Sequence, residues 1–204
     1  TELKKNSSEV NYLTPHNVTL SYVLQGSTKS NFTSINLTKT NNTKVNLSLN
    51  LNCTSPRSDL SINTNTTFCP GTFTVDNINV DAHDIKLTCL NTILRSGKSG
   101  SSSKGISIAF QKSNITINGC TFENYQYASI ITNSGGGINI SNVSITVSQG
   151  LSTTFGILAS GLHDRSFLES SYISCTSCSE DVFFSGGSNV KITNNTFSGT
   201  GTIG

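Results

Sequence analysis

A short phrase recurs along this chain: a small polar residue, then Asn or Asp, then alternating apolar residues. It reads Asp84-Ile85-Lys86-Leu87 and then Ser113-Asn114-Ile115-Thr116-Ile117-Asn118-Gly119-Cys120-Thr121-Phe122. It returns as Gly137-Ile138-Asn139-Ile140-Ser141-Asn142-Val143-Ser144-Ile145 and as Ser188-Asn189-Val190-Lys191-Ile192-Thr193-Asn194-Asn195-Thr196-Phe197. With Ile85, Ile115, Ile138 and Val190 as equivalents, the steps are 30, 23 and 52 residues. The last step leaves room for one degenerate copy near Phe167. A unit of this length, built from short strands and polar turns, cannot bury its apolar face alone. Copies must stack, one coil on the next, as a solenoid.

Composition supports strands over disorder. Apolar residues make up 34% and charged residues 12% of the 204, both low for a globular chain. The apolar set is largely Ile, Val, Leu and Phe in period-2 alternation, the pattern of half-buried strands. No 3.6-residue stripe of useful length is present, so the expected class is all-β. Residues 69–204 read as a parallel β-helix of about five coils, each near 4.8 Å in rise. Residues 1–68 read as an N-terminal β cap or small antiparallel β-module. Its alternating runs are residues 18–24, 32–37 and 45–51, separated by the turn signals Gly26-Ser27 and Asn41-Asn42. It ends in a loop-rich junction that holds Cys53, Pro56, Cys69 and Pro70. Terminal units of solenoids are atypical because they cover the open end of the core.

Export is the expected destination. The sequence begins at Thr1 and holds no Met, as expected of a fragment or of a chain whose secretory signal has been cleaved. No apolar run reaches the length of a membrane span. Asn-x-Ser/Thr sequons stand at Asn6, Asn17, Asn31, Asn36, Asn41, Asn46, Asn52, Asn65, Asn114, Asn139, Asn142 and Asn194. Chance would supply roughly seven at this Asn, Ser and Thr content, so twelve is a modest excess. Asn also suits tight turns and stacked ladders. Covalent N-glycans are expected, concentrated in residues 1–68, where eight of the twelve lie. The net charge of +2 supplies no basic face for nucleic acid.

Three segments carry a family resemblance. They are Cys69-Pro70-Gly71-Thr72-Phe73-Thr74-Val75, Asp84-Ile85-Lys86-Leu87-Thr88-Cys89, and the run from Asn114 through Thr121-Phe122-Glu123-Asn124-Tyr125. Together they resemble right-handed parallel β-helix repeat proteins of the pectate-lyase-like type, in particular secreted surface proteins of archaea and bacteria. The resemblance spans about residues 69–204. It implies a right-handed coil but no single activity, because the family holds polysaccharide lyases, hydrolases and epimerases beside non-catalytic adhesins and filament components.

Candidate chemistry is sparse. Six cysteines in an exported chain suggest three disulfides, with fifteen pairings open. Cys89 and Cys120 each follow the strand phrase and are placed to bridge neighbouring coils. Cys53 with Cys69 would staple the junction, leaving Cys175 and Cys178 as a local pair. Free thiols, or half of a zinc site at Cys175-Thr176-Ser177-Cys178, are the alternatives. Asp76, Asp81 and Asp84 with His83 form the densest acidic group; solvated turn residues are the plain reading and a Ca²⁺ site the sharper one. His163-Asp164-Arg165 holds acid–base side-chain types, but neighbours in sequence point in different directions. Gly135-Gly136-Gly137 lacks the Lys-Ser/Thr and helix of a phosphate cradle. No catalytic residue, metal or cofactor is assigned.

The leading expectation is a non-enzymatic extracellular glycoprotein with a structural or adhesive role at a cell surface. It would self-associate by strand addition or end-to-end stacking into a filament or array. A carbohydrate-active β-helix enzyme is the runner-up. A carbohydrate-binding module is weakened by the absence of Trp and the presence of only five Tyr.

Overall fold

The computed structural model describes residues 53–98, 103–133, 135–148, 154–161, 163–176, 178–200 and 202–204. The chain divides into two compact units, Thr1–Asn50 and Leu51–Gly204. The expected strands at residues 18–24, 32–37 and 45–51 lie outside the described residues.

In the second unit β1 (Ser61–Ile62) precedes a coil of β2 (Thr66–Phe68), β3 (Gly71–Thr74) and β4 (Ile78–Val80). The next two coils are β5 (Lys86–Cys89), β6 (Thr92–Arg95) and β7 (Lys104–Ile108), then β8 (Ile115–Asn118), β9 (Thr121–Glu123) and β10 (Ala128–Asn133). Above them come β11 (Ile138–Ser141), β12 (Ser144–Val147) and β13 (Phe155–Ser160), then β14 (Phe167–Glu169), β15 (Tyr172–Cys175) and β16 (Glu180–Ser185). The last coil is β17 (Lys191–Thr193), β18 (Thr196–Gly199) and β19 (Thr202–Ile203). Equivalent strands stack in parallel into two six-stranded sheets and one of seven strands. The fold is therefore a parallel β-solenoid, with no helix among the described residues. Its strands β1 and β2 come from residues that the sequence alone placed in the junction.

The recurring phrase marks one corner of each coil. The ladder pairs Ile115 with Ile138, and its register aligns these with Ile85 below and with Ser166 and Val190 above. Ser166 is thus the inward residue of the degenerate copy. It is fully buried, and its Oγ accepts a hydrogen bond from the Ile138 N–H at 3.2 Å. The residue just before each of these positions is left-handed: Asp84, Asn114, Gly137, Arg165 and Asn189 have φ between 54° and 68°. A second corner column, Asn91, Gly119, Asn142, Ser170 and Asn194, has φ between 50° and 76°. Asn, Asp and Gly tolerate this region far better than other residues, which is why the phrase carries them. Arg165 and Ser170 break the rule in the one coil where the phrase fades.

Inward columns form a continuous core. Ile117, Ile140 and Leu168 stack on one wall, Phe122, Ile145 and Ile173 on the second, and Ile106, Ile130, Ile157 and Val182 on the third. All are buried, each contributing roughly 1.5–3 kcal/mol. Ile192 and Phe197 continue two of these columns. In the last coil, however, Ile192 is 37% exposed and Phe197 only half-buried. Thr116, Asn139 and Lys191 share an outward column with Phe167, as alternation requires, and Lys191 Nζ lies 5.8 Å from the Phe167 ring centroid. Arg95 and Glu123 face each other across β6 and β9 at 2.6 Å; at the surface such a pair contributes at most about 1 kcal/mol.

Candidate functional site

The cysteines pair in the arrangement that strand placement suggested. Cys53 bonds Cys69, Cys89 bonds Cys120, and Cys175 bonds Cys178, with Cα separations of 5.0, 4.9 and 5.6 Å. Cys89 ends β5 and Cys120 precedes β9, so this bridge ties one coil to the next. All six cysteines are paired in disulfides.

The sequons separate by environment. Asn6, Asn17, Asn31, Asn36, Asn41, Asn46 and Asn52 lie outside the described residues. Asn142 and Asn194 occupy the second corner column two coils apart, exposed and pointing out. Asn65 is exposed, and its Oδ1 accepts the Lys86 N–H at 2.7 Å. Asn114 is exposed, but its Nδ2 donates to Asp84 Oδ1 at 2.9 Å in a corner ladder. Asn139 lies within β11, half-buried, with its Oδ1 closed off from water and without a partner.

The acidic group around His83 does not converge. Asp76 is 3% exposed, accepting Ser96 Oγ–H at 2.8 Å and the Gly97 N–H at 3.1 Å, and so anchors the chain leaving β6. This corrects the reading of Asp76 as a solvated turn residue. Asp81 accepts the Ser61 hydroxyl, Asp84 belongs to the corner ladder, and His83 pairs with Ser113 at 3.0 Å. Among the described residues no three His, Cys, Asp or Glu side chains group as metal ligands. Tyr125 lies near Asp76, fully buried, donating to the Val75 carbonyl at 2.7 Å. Burial, with the Asp76 charge as second cause, holds its phenol above the ordinary range.

The triplet His163-Asp164-Arg165 splits at a turn, its first residue buried and the other two exposed. His163 is fully buried, its ring nitrogens each 3.0 Å from a carbonyl oxygen, of Gly135 and of Ser160. Asp164 and Arg165 face solvent beside a recess of about 250 Å³ lined also by Ser113, Asn114, Gly136 and Gly137. The Ser188 N–H and hydroxyl, at 2.7 and 2.9 Å, hold the Asp164 carboxyl below its usual value. The recess presents one carboxylate, one guanidinium and one amide, enough to hydrogen-bond a small polar group. Acid hydrolysis of a glycoside needs two carboxyls at a set separation, and the second is not among the lining residues. Gly137 closes this corner with φ 68°; a Cβ there would stand 2.8 Å from Asn114 Oδ1.

Sequence reasoning missed Asp181, which is 3% exposed in β16 with its Oδ1 unpartnered. Burial raises its carboxyl above the usual value. Below the unfolded value near 4 the group is neutral in both states. As pH rises from there toward the raised folded value, the unfolded chain binds fewer protons and stability falls. Asp181→Asn should therefore melt higher than the parent at pH 7, with the difference shrinking toward pH 4. Melting temperatures of both proteins at the two pH values check this; an equal or lower value for the variant at pH 7 refutes it.

No family model, curated protein or solved structure matches this chain.

Proposed function

We propose that this chain is an extracellular glycoprotein whose rigid solenoid does structural or adhesive work at a cell surface, in the manner of the secreted β-helix surface proteins its coil phrase resembles. The observation that carries the reading is the placement of Asn142 and Asn194, sequon asparagines exposed in one corner column. A glycan needs an outward, accessible amide, and it can project from such a corner without disturbing the stack. The three disulfides suit an oxidising compartment. A coil stack locked covalently between layers is also suited to passive load-bearing.

The test is site-by-site mapping of protein secreted from a glycosylating host, after enzymatic deglycosylation in heavy-oxygen water. Asn142 and Asn194 should carry the mark of a removed glycan, whereas Asn139, half-buried within β11 with its Oδ1 shielded from water, should not. If all twelve sequons are unmodified, the glycoprotein reading fails.

The recess at Asp164 and Arg165 favours the second reading, a carbohydrate-active enzyme. Release of unsaturated or reducing ends from pectin, xylan or similar polymers, abolished by Asp164→Asn, would replace the first proposal with this one.

A further inference from the structure

Strand β15 carries one ring on a face otherwise made of small hydroxyls. Ile145, Ile173 and Phe197 form an inward column. By alternation Ser144, Thr146, Tyr172, Ser174, Thr196 and Ser198 face outward along β12, β15 and β18. Tyr172 is 41% exposed. Its ladder partners are both small: Ser144 in the coil below and Thr196 in the coil above. An isolated exposed ring is ordinary on a protein surface; the identity of its two partners is not. Ser144 is the hydroxyl residue of the sequon Asn142-Val143-Ser144, and Thr196 is that of Asn194-Asn195-Thr196.

The two attachment points converge on this ring. Asn142 and Asn194 flank Ser170 in the corner column, one coil to either side. Tyr172 follows Ser170 by two residues, the step between neighbours on one face of a strand. Two residues along the strand and one coil across place each asparagine about 8 Å from Tyr172, backbone to backbone. Ser170 is small, so nothing bulky stands at the corner between the two sites. Asn195 fixes the second sequon against the coil that carries the ring. Its Oδ1 accepts the Ser171 N–H at 2.9 Å and its Nδ2 donates to the Leu168 carbonyl at 2.8 Å. A pyranose attached at Asn142 or Asn194 has an apolar C–H face, and Tyr offers an apolar face with a polar tip. Stacking the two removes from water the ring surface that the bare protein leaves wet, with a gain in proportion to the area covered.

We propose that Tyr172 is a glycan-docking residue, against which the first sugars carried by Asn142 and Asn194 pack. The ligand class is an N-linked pyranose held on the same chain. The inference rests on the glycoprotein reading and adds a contact which that reading does not require. Docking would span three consecutive coils, the last of them the coil in which Ile192 is 37% exposed.

The test compares the full chain secreted from a glycosylating host with N142D/N194D, in which Asp keeps the left-handed corners but accepts no glycan. Peptide mapping reads the occupancy of both sequons. Iodination followed by mass spectrometry reads Tyr172, which should react roughly three- to tenfold more slowly in the parent, the factor that ordinary aromatic stacking gives. N142D/N194D should melt about 2–4 °C below the parent, whereas in a Tyr172→Thr background the same two substitutions should shift melting by less than about 1 °C. If Tyr172→Thr does not fold by circular dichroism, the iodination rates decide. With either sequon occupied, equal iodination rates, or a melting shift that does not depend on the ring, overturn the docking and leave the glycoprotein reading intact. Empty sequons at both positions overturn it together with the observation that carries the glycoprotein reading, so mapping tells the two failures apart.

Discussion

Phe122→Ala should lower the free energy of unfolding by about 3–5 kcal/mol, the usual cost of emptying an aromatic site in a core that cannot close over it. Phe122 is fully buried and sits between Leu94 of the coil below and Ile145 of the coil above. It also makes an edge contact with Tyr125, whose centroid is 6.1 Å away. Backbone ladders on both sides hold the coil spacing, so the walls cannot move inward to fill the space. Thr121→Ala, one residue away on the outer surface, should change stability by less than about 0.5 kcal/mol. Urea denaturation of the two variants against the parent reads the difference. Equal effects would mean that Phe122 does not face the interior, and the coil assignment would fall with it.

Removing the bridge between coils should cost nearly as much. The Cys89–Cys120 disulfide closes a span of 31 residues, and loop-closure entropy for that length gives roughly 3–4 kcal/mol. Cys175–Cys178 spans only 3 residues, and the same relation gives roughly 2 kcal/mol. The double variant C89A/C120A should therefore melt well below C175A/C178A under non-reducing conditions. The opposite order, or identical melting, would show that the inter-coil bridge does not limit the unfolded chain as the topology demands. A pair that joins layers acts on the whole stack, whereas a pair within one turn constrains only that turn.

The parts of the fold that were legible in the sequence share a cause. Ile115, Ile117, Ile138 and Ile140 could be placed because their strands bury one face and show the other to water, so the alternation is written in the residues. Asn114, Asn142 and Asn194 could be placed because a left-handed corner restricts the choice of side chain. The third strand of the middle coils was not legible. β10 reads Ala-Ser-Ile-Ile-Thr-Asn and β13 reads Phe-Gly-Ile-Leu-Ala-Ser. Apolar residues on both faces remove the alternation, and a continuous apolar run is compatible with more than one structure. The boundary of the coil stack was misplaced for a related reason: β1 and β2 are two and three residues long, too short to establish a period.

The candidate site was less legible still. Nothing local distinguishes Asp76, buried and anchoring a loop, from Asp81 and Asp84, which are exposed at corners a few residues away. Burial of His163 and Asp181 depends on what the coils above and below place against them, and those neighbours are about 23–30 residues distant in sequence.

By itself the sequence determined the class and the stacking, because period and turn chemistry are local properties that repeat, and it suggested the staples without fixing their pairing. It determined the inward columns wherever one face of a strand is wet. Only the tertiary structure decided which side chains become neighbours across coils. Coil lengths of 30, 23, 28 and 24 residues vary through their loops, and the register that aligns Lys104, Ala128, Phe155 and Glu180 emerges only when the backbone ladders form. Hydrogen bonding between parallel strands sets that alignment, and no spacing in the linear chain encodes it.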